Sequence, residues 1–190
     1  MKECKRKIFI DCGANTCHVL RSYVNKYPDF EFFAFEAQPD LAHEGRRVID
    51  ENPESKISFY SKAVWTRDEP IDFYLASHWG RNYRGGSTLI HGQTRNSSKV
   101  DYARPVTVDA IDFSQWLQRN FSPDDYVIIK MDIEGAEYDV LEKIIKDNNH
   151  NLVDELIVEF HHDMNDSISK ERHDSLVRQV RSFCDLEIWH

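Results

Sequence analysis

Acidic residues stand where apolar runs end. The run Lys7–Asp11 closes on Asp11, and Cys12-Gly13-Ala14-Asn15-Thr16-Cys17 follows as a tight turn into a helix. Gly13 allows a sharp turn or a close backbone approach to a ligand. The helix behind it offers unpaired N–H groups and the positive end of its dipole. The spacing is not the GxGxxG of a dinucleotide fingerprint. A second run, Glu31–Glu36, closes on Glu36, an acid placed to accept hydrogen bonds from ribose hydroxyls in nucleotide-binding α/β folds. A third, Tyr126–Asp132, closes on Asp132 and continues Ile133-Glu134-Gly135-Ala136-Glu137. Asp132 and Glu134 face the expected cleft, where a carboxylate can take a proton or hold a cation. Glu137, in the first turn of the next helix, reads as a dipole partner. A fourth run, Leu152–Phe160, leads to His161-His162. Histidine titrates near neutral pH, and neighbours on an extended chain point to opposite sides, so one of the two is expected in a site.

These residues need a scaffold, and the hydropathy pattern supplies one. Strands are expected at Lys7–Asp11, Glu31–Glu36, Ile57–Val64, Ile71–Leu75, Val106–Val108, Tyr126–Asp132, Leu152–Phe160 and Leu186–Trp189. Helices are expected at Val19–Tyr27, Pro39–Glu51, Ile111–Asn120, Ala136–Lys146 and Ser169–Phe183. Alternating strands and helices with near-continuous apolar strands predict a mostly parallel sheet covered on both faces. Ligands of such sheets bind beyond the carboxyl ends of the strands, where the acids lie.

The chain has 190 residues, 41% hydrophobic and 12% aromatic, with a formal net charge of −9. That predicts one domain over residues 1–190 with a core of its own. The charge argues against a protein that coats nucleic acid or an anionic membrane. Cys4, Cys12, Cys17 and Cys184 form no CxxC pair and complete no zinc pattern, so free thiols are expected. Only Ile8-Phe9-Ile10 precede Asp11 as an apolar stretch, too short for a signal peptide, and nothing approaches the length of a membrane span. Three Asn-x-Ser sequons are read as chance matches, and a soluble, cytoplasmic protein is the expectation.

The exception to the alternating pattern is 77–104, rich in Gly, Ser and Asn. It carries Arg81, Arg84, Arg95, Lys99 and Arg104 against the single acid Asp101. A long stretch without periodicity inside a compact domain is often a binding loop. This basic island is expected to meet an anionic part of a substrate, the plainer possibility being a solvated loop.

Taken together, IDCGANT (10–16), FEAQP (35–39), KAVW (62–65), GGSTL (85–89), VTVDAID (106–112), KMDIEGAEYDVL (130–141) and ELIVEFHH (155–162) resemble the FkbM-type methyltransferases. These segments stand in family order over most of the chain. The resemblance implies the Rossmann-like class I methyltransferase fold, a mostly parallel seven-stranded sheet with helices on both faces and one antiparallel strand near the end. It also implies S-adenosylmethionine as cofactor, and transfer of a methyl group to a hydroxyl of a small molecule, above all a sugar or glycan. Carried over by residue, Asp11, Gly13 and Asn15 line the methionine end of the cofactor. Glu36 holds the ribose with Gln38 nearby, and Ala63 and Val64 flank the adenine. Asp132, Glu134 and His161 stand where donor and acceptor meet, with Asp132 as base and His161 as second choice. Arg81, Arg84, Ser87 and Thr88 belong to the acceptor side.

Two departures qualify the resemblance. The family loop DxGANxG has Cys17 in place of its last glycine, where a Cβ is expected to narrow the pocket or tilt the helix. The chain ends at His190 after a single late strand, so the sheet is expected to be shortened. Some O-methyltransferases of this fold hold a divalent ion with acids after the same strands. Asp132, Glu134 and His161 could ligate one, although a metal-free site is favoured. Two rival functions stand beside the enzyme. One is a cofactor-binding module with little or no catalysis, prompted by Cys17. The second is an RNA methyltransferase, for which only the basic island speaks.

Overall fold

The computed structural model describes residues 5–77, 85–92, 99–162 and 168–189. Six parallel strands form the central sheet, in the order β11-β10-β9-β1-β2-β3. At its centre lies β1 (Lys7–Cys12), buried from Ile8 onward and flanked by β2 (Glu31–Phe35) and β9 (Tyr126–Met131). Beyond them come β3 (Lys56–Tyr60) on one edge, and β10 (Glu155–Val158) and β11 (Asp185–Ile188) on the other. The chain runs outward in one direction from β1 and in the other from β9. The switch point between them opens a crevice at their carboxyl ends.

The period-two alternation of the strands feeds two cores. Ile8, Ile10, Val127 and Ile129 face α3 (Phe113–Asn120), α4 (Glu137–Lys146) and α5 (Lys170–Arg181), which contribute Trp116, Leu141 and Val180. Phe9, Phe32, Ala34 and Ile128 face α1 (His18–Lys26) and α2 (Ala42–Glu51) through Leu20, Val24 and Val48. Gly45 sets the distance of α2 from the sheet, since a Cβ there would lie 2.1 Å from the Phe59 ring.

Several expectations change in detail. Among the described residues the central sheet has six strands, in keeping with the shortening expected, and the last strand pairs parallel to β10 rather than antiparallel. The expected third strand breaks at Ser61-Lys62. Its second half, β4 (Ala63–Trp65), joins a separate three-stranded sheet with β8 (Val106–Asp112) and the antiparallel β5 (Pro70–Phe73). β8 runs seven residues, past the expected end at Val108. Asp112 stops it and caps α3, accepting the Gln115 N–H at 3.0 Å, so the helix begins at Phe113 rather than Ile111. The basic loop is not structureless throughout: β6 (Ala76–Ser77) pairs with β7 (Lys99–Val100), and Tyr74 pairs with Thr88. Among the described residues no helix is long and apolar enough to cross a membrane.

Candidate functional site

A cleft of about 560 Å³, counted with its open mouth, lies over the carboxyl ends of β1, β2 and β9 and the start of β4. Gly13 and Asn15 form one wall; Glu36, Ala37 and Gln38 form the next. Lys62, Ala63 and Val64 enter from β4 and Phe73 from β5. Asp132, Ile133 and Glu134 close the far side, and Gly85, Gly86, Ser87 and Leu89 border the mouth.

The β1–α1 turn owes its shape to left-handed backbone at Gly13, Asn15 and Cys17. At Gly13, φ is +80° and a Cβ would lie 1.9 Å from the Asp132 carbonyl oxygen, so glycine lets this turn touch the β9–α4 turn. The N–H groups of the turn are already engaged. Gly13 and Ala14 donate to the Phe35 carbonyl, Asn15 to Glu36 Oε2 at 2.6 Å, and Cys17 to the Ala14 carbonyl. A phosphate cradle needs such N–H groups pointing outward, so this turn is built to hold Glu36 and not a pyrophosphate.

Glu36 is 8% exposed. Its second oxygen accepts the Gln38 N–H at 2.7 Å. Burial raises its pKa, and the two backbone N–H groups pull it back. Cys17 occupies the position of the family glycine in the left-handed conformation, φ 57°, that favours glycine there. Its side chain is buried in the cluster of Leu20 and Val24 and does not line the cleft, and the helix begins at His18 without its narrowing the site. Burial pushes the Cys17 thiol up to about 12.

Opposite Glu36, the turn Asp132-Ile133-Glu134-Gly135 wraps around a carboxylate. Glu137, fully buried, accepts the N–H groups of Ile133 and Gly135 and the Nδ1–H of His161 at 3.0 Å. Its role is therefore structural in this turn, beyond the dipole partner expected from its helix position. His161 Nε2 points at Glu134 Oε2 and Asp132 Oδ1, 3.6 and 3.9 Å away, with Glu159 Oε1 also at 3.9 Å. Burial lowers the His161 pKa, but the Glu137 hydrogen bond and the charges of Glu137, Glu134 and Asp132 outweigh it and push it up to about 10. Burial raises Glu134 to about 7 against the opposing charge of His161. Asp132, a quarter exposed, presents its carboxylate to the cleft.

Lys130 lies buried within an apolar strand; it opens the KMDIEGAEYDVL segment, but the sequence alone assigns it no role in the site. Its Nζ donates to the Gly13 carbonyl at 3.0 Å and stands 3.3 Å from Asp11 Oδ1 and 3.6 Å from Asp132 Oδ2. Burial lowers its pKa, and the charges of Asp11 and Asp132 raise it further than that. A lysine between apolar neighbours needs an acid beside it, but the strand register that supplies Asp11 is not visible in the linear sequence.

The structure thus gathers Gly13, Asn15, Glu36, Gln38, Ala63, Val64, Ser87, Asp132 and Glu134 around one cleft. Asp11, Thr88 and His161 stand behind its walls. Thr88, fully buried, donates to the Glu134 carbonyl at 2.7 Å, while Gly86 N–H donates to Glu134 Oε1 and Ser87 Oγ to Gln38 Oε1. These bonds tie the 85–89 segment to both sides of the mouth. Arg81 and Arg84 lie outside the described residues. Arg104, at the end of the basic island, is exposed and paired with Asp101. Lys62, Phe73 and Leu89 also line the cleft; Lys62 and Leu89 lie in the KAVW and GGSTL segments, which assign them no role, and Phe73 lies in none of the segments.

A model of the methyltransferase FkbM domain matches residues 11–184. Among solved structures, a methyltransferase FkbM from Methylobacillus flagellatus is similar in fold, with a TM-score of 0.55 at 14% identity. The match covers 94% of this chain and 38% of that one, so the chain spans well under half the length of this relative. No curated protein matches the sequence. The chain belongs to the FkbM methyltransferase family.

Proposed function

We propose that the cleft binds S-adenosylmethionine and that the protein moves its methyl group to a hydroxyl of a small-molecule acceptor, a sugar or another polyol. The observation that carries this reading is Glu36. Its carboxylate is held at the end of β2 by two backbone N–H groups, facing a cleft whose opposite wall is Asp132. Each oxygen keeps a lone pair for a ribose hydroxyl. Ala63, Val64 and Phe73 offer an apolar slot for a purine, and Gly13 and Asn15 lie toward the methionine end.

When bound, S-adenosylmethionine supplies a methyl group activated by its sulfonium. The chain's own residues do the rest. The cleft walls hold acceptor oxygen and methyl carbon in line, and such alignment is worth roughly 7–11 kcal/mol. Asp132 accepts the proton that the acceptor hydroxyl loses on methylation, a contribution of about 10²–10⁴-fold. His161, held by Glu137, keeps positive charge beside Asp132 and Glu134. Cys17, which prompted the reading as a cofactor-binding module with little or no catalysis, is absent from the cleft lining, which supports the enzyme reading.

Incubation with S-adenosylmethionine labelled in its methyl group and a panel of sugars and polyols tests the proposal. Label is expected in an ether of one acceptor class. Cofactor binding without transfer to any hydroxyl, or label found in RNA, overturns it.

A further inference from the structure

The excursion between β5 and β8 carries three aromatic rings that do not line the cleft. Tyr74 follows β5, Tyr102 follows β7, and His91 lies beyond the segment that ties the mouth together. Their ring centroids are 5.1 to 5.4 Å apart. Tyr74 and Tyr102 are half-buried and His91 is exposed. Main-chain hydrogen bonds from separate segments place the rings. Tyr74 and Thr88 exchange two such bonds, at 2.8 and 3.0 Å. The Ile90 N–H donates to Thr88 Oγ1 at 2.9 Å, which fixes the approach to His91. The Asp101 N–H donates to the Leu75 carbonyl at 2.9 Å, which brings Tyr102 alongside Tyr74.

The Tyr74–Thr88 pair also relates the rings to the cleft. Neighbours on an extended chain point to opposite sides. Phe73 and Leu89 line the cleft, so Tyr74 and Thr88 belong to the other side. Residues directly opposite in an antiparallel pair share a side, and there the Thr88 hydroxyl donates to the Glu134 carbonyl at 2.7 Å. The rings therefore gather beside the turn that carries Asp132 and Glu134, across the pair from Phe73.

We infer that Tyr74, His91 and Tyr102 form a stacking subsite for a sugar ring of the acceptor, next to the ring whose hydroxyl meets Asp132, so that the acceptor carries at least two sugar rings. The inference rests on the methyl-transfer reading for the ring that reacts. Aromatic faces are electron-rich, and the C–H bonds on one face of a pyranose are weakly positive. Tyrosine and histidine add hydrogen-bonding groups at the ring edges for the hydroxyls around that face. The three rings are inclined to one another by 53° to 76°, which leaves no parallel pair among them to sandwich a planar base. The charge of Arg104, two residues beyond Tyr102, is matched by Asp101, which suits a neutral ring.

The probes are disaccharides of glucose, galactose, mannose and rhamnose, each set against its single-ring methyl glycoside. Saturation-transfer NMR measures binding without turnover. Saturation is expected to reach the protons of at least one disaccharide in the wild type and to be lost in Tyr74→Leu combined with Tyr102→Leu. Calorimetry with S-adenosylhomocysteine shows that each variant is folded. In the labelled methyl-transfer assay, a disaccharide acceptor is expected to have a lower KM than its methyl glycoside. Each Leu variant should reduce that advantage about 2- to 12-fold, while Tyr74→Phe, which keeps the ring, retains it. No saturation in the wild type, equal saturation in the double variant, or an advantage that survives both Leu changes overturns the inference and leaves the methyl-transfer reading standing. Ring-dependent saturation without methylation of any hydroxyl overturns that reading and leaves the subsite.

Discussion

Lys130 and Asp11 oppose each other on neighbouring strands, both buried, with Nζ 3.3 Å from Oδ1. Charge is the main attraction of Lys130 for Asp11, and Lys130 also donates to the Gly13 carbonyl at 3.0 Å. The arrangement welds the first acidic turn to the strand that carries Asp132. Removing one member strands the other: Lys130→Met is expected to cost about 3–5 kcal/mol. Lys130→Met combined with Asp11→Leu is expected to recover most of that. Urea unfolding of the two single variants and the double variant measures it, and an additive cycle refutes the coupling.

Gly13 marks the contact of the two turns that frame the cleft. Gly13→Ala imposes a left-handed alanine, at about 1–2 kcal/mol, and places Cβ against the Asp132 carbonyl. Thermal unfolding should show a lowered midpoint, and calorimetry a weakened affinity for S-adenosylhomocysteine. Wild-type values for both contradict the assigned contact.

Asp132→Asn separates chemistry from binding. Turnover is expected to fall about 10²–10⁴-fold while affinity for S-adenosylhomocysteine stays within a few-fold. Steady-state rates and calorimetry on the same preparation decide it. Intact turnover removes Asp132 as the base, and lost affinity makes it a cofactor ligand instead.

Acid stability has a source far from the cleft. Arg6 donates to both oxygens of Asp125, at 3.1 and 2.8 Å, and its hydrogen bond, set against burial, holds that carboxyl below its ordinary value. A folded pKa below the unfolded one stabilises fully above the unfolded value, about 3.9 for aspartate, and the stabilisation fades as pH falls through the folded value. Asp125→Asn is therefore expected to lower the thermal midpoint at pH 7. The gap from wild type should narrow as pH falls below about 4. A gap that persists undiminished at low pH contradicts the linkage.

The acids at strand ends, the glycine of the first turn and the alternation of strands and helices were legible because each is a local pattern. Glu36 and Asp132 could be placed in one cleft because parallel strands put their carboxyl ends on one side. What escaped depends on pairs distant in sequence. Lys130 makes sense only once β1 and β9 are in register. Glu137 acts as the hub of its turn only when His161 arrives from another strand. The break at Ser61-Lys62 was hidden because a turn of two polar residues barely interrupts an otherwise strand-like run. Asp112 was hidden by hydropathy that fits a strand and a helix equally well, and its cap decides between them.

Calorimetric titration with S-adenosylhomocysteine of the wild type and of Glu36→Gln tests the central claim most directly. One binding site per chain is expected in the wild type. Loss of hydrogen bonds to a charged group, worth about 1.5–3 kcal/mol, should weaken the variant about 10- to 150-fold. No binding by the wild type, or equal binding by both proteins, contradicts the account.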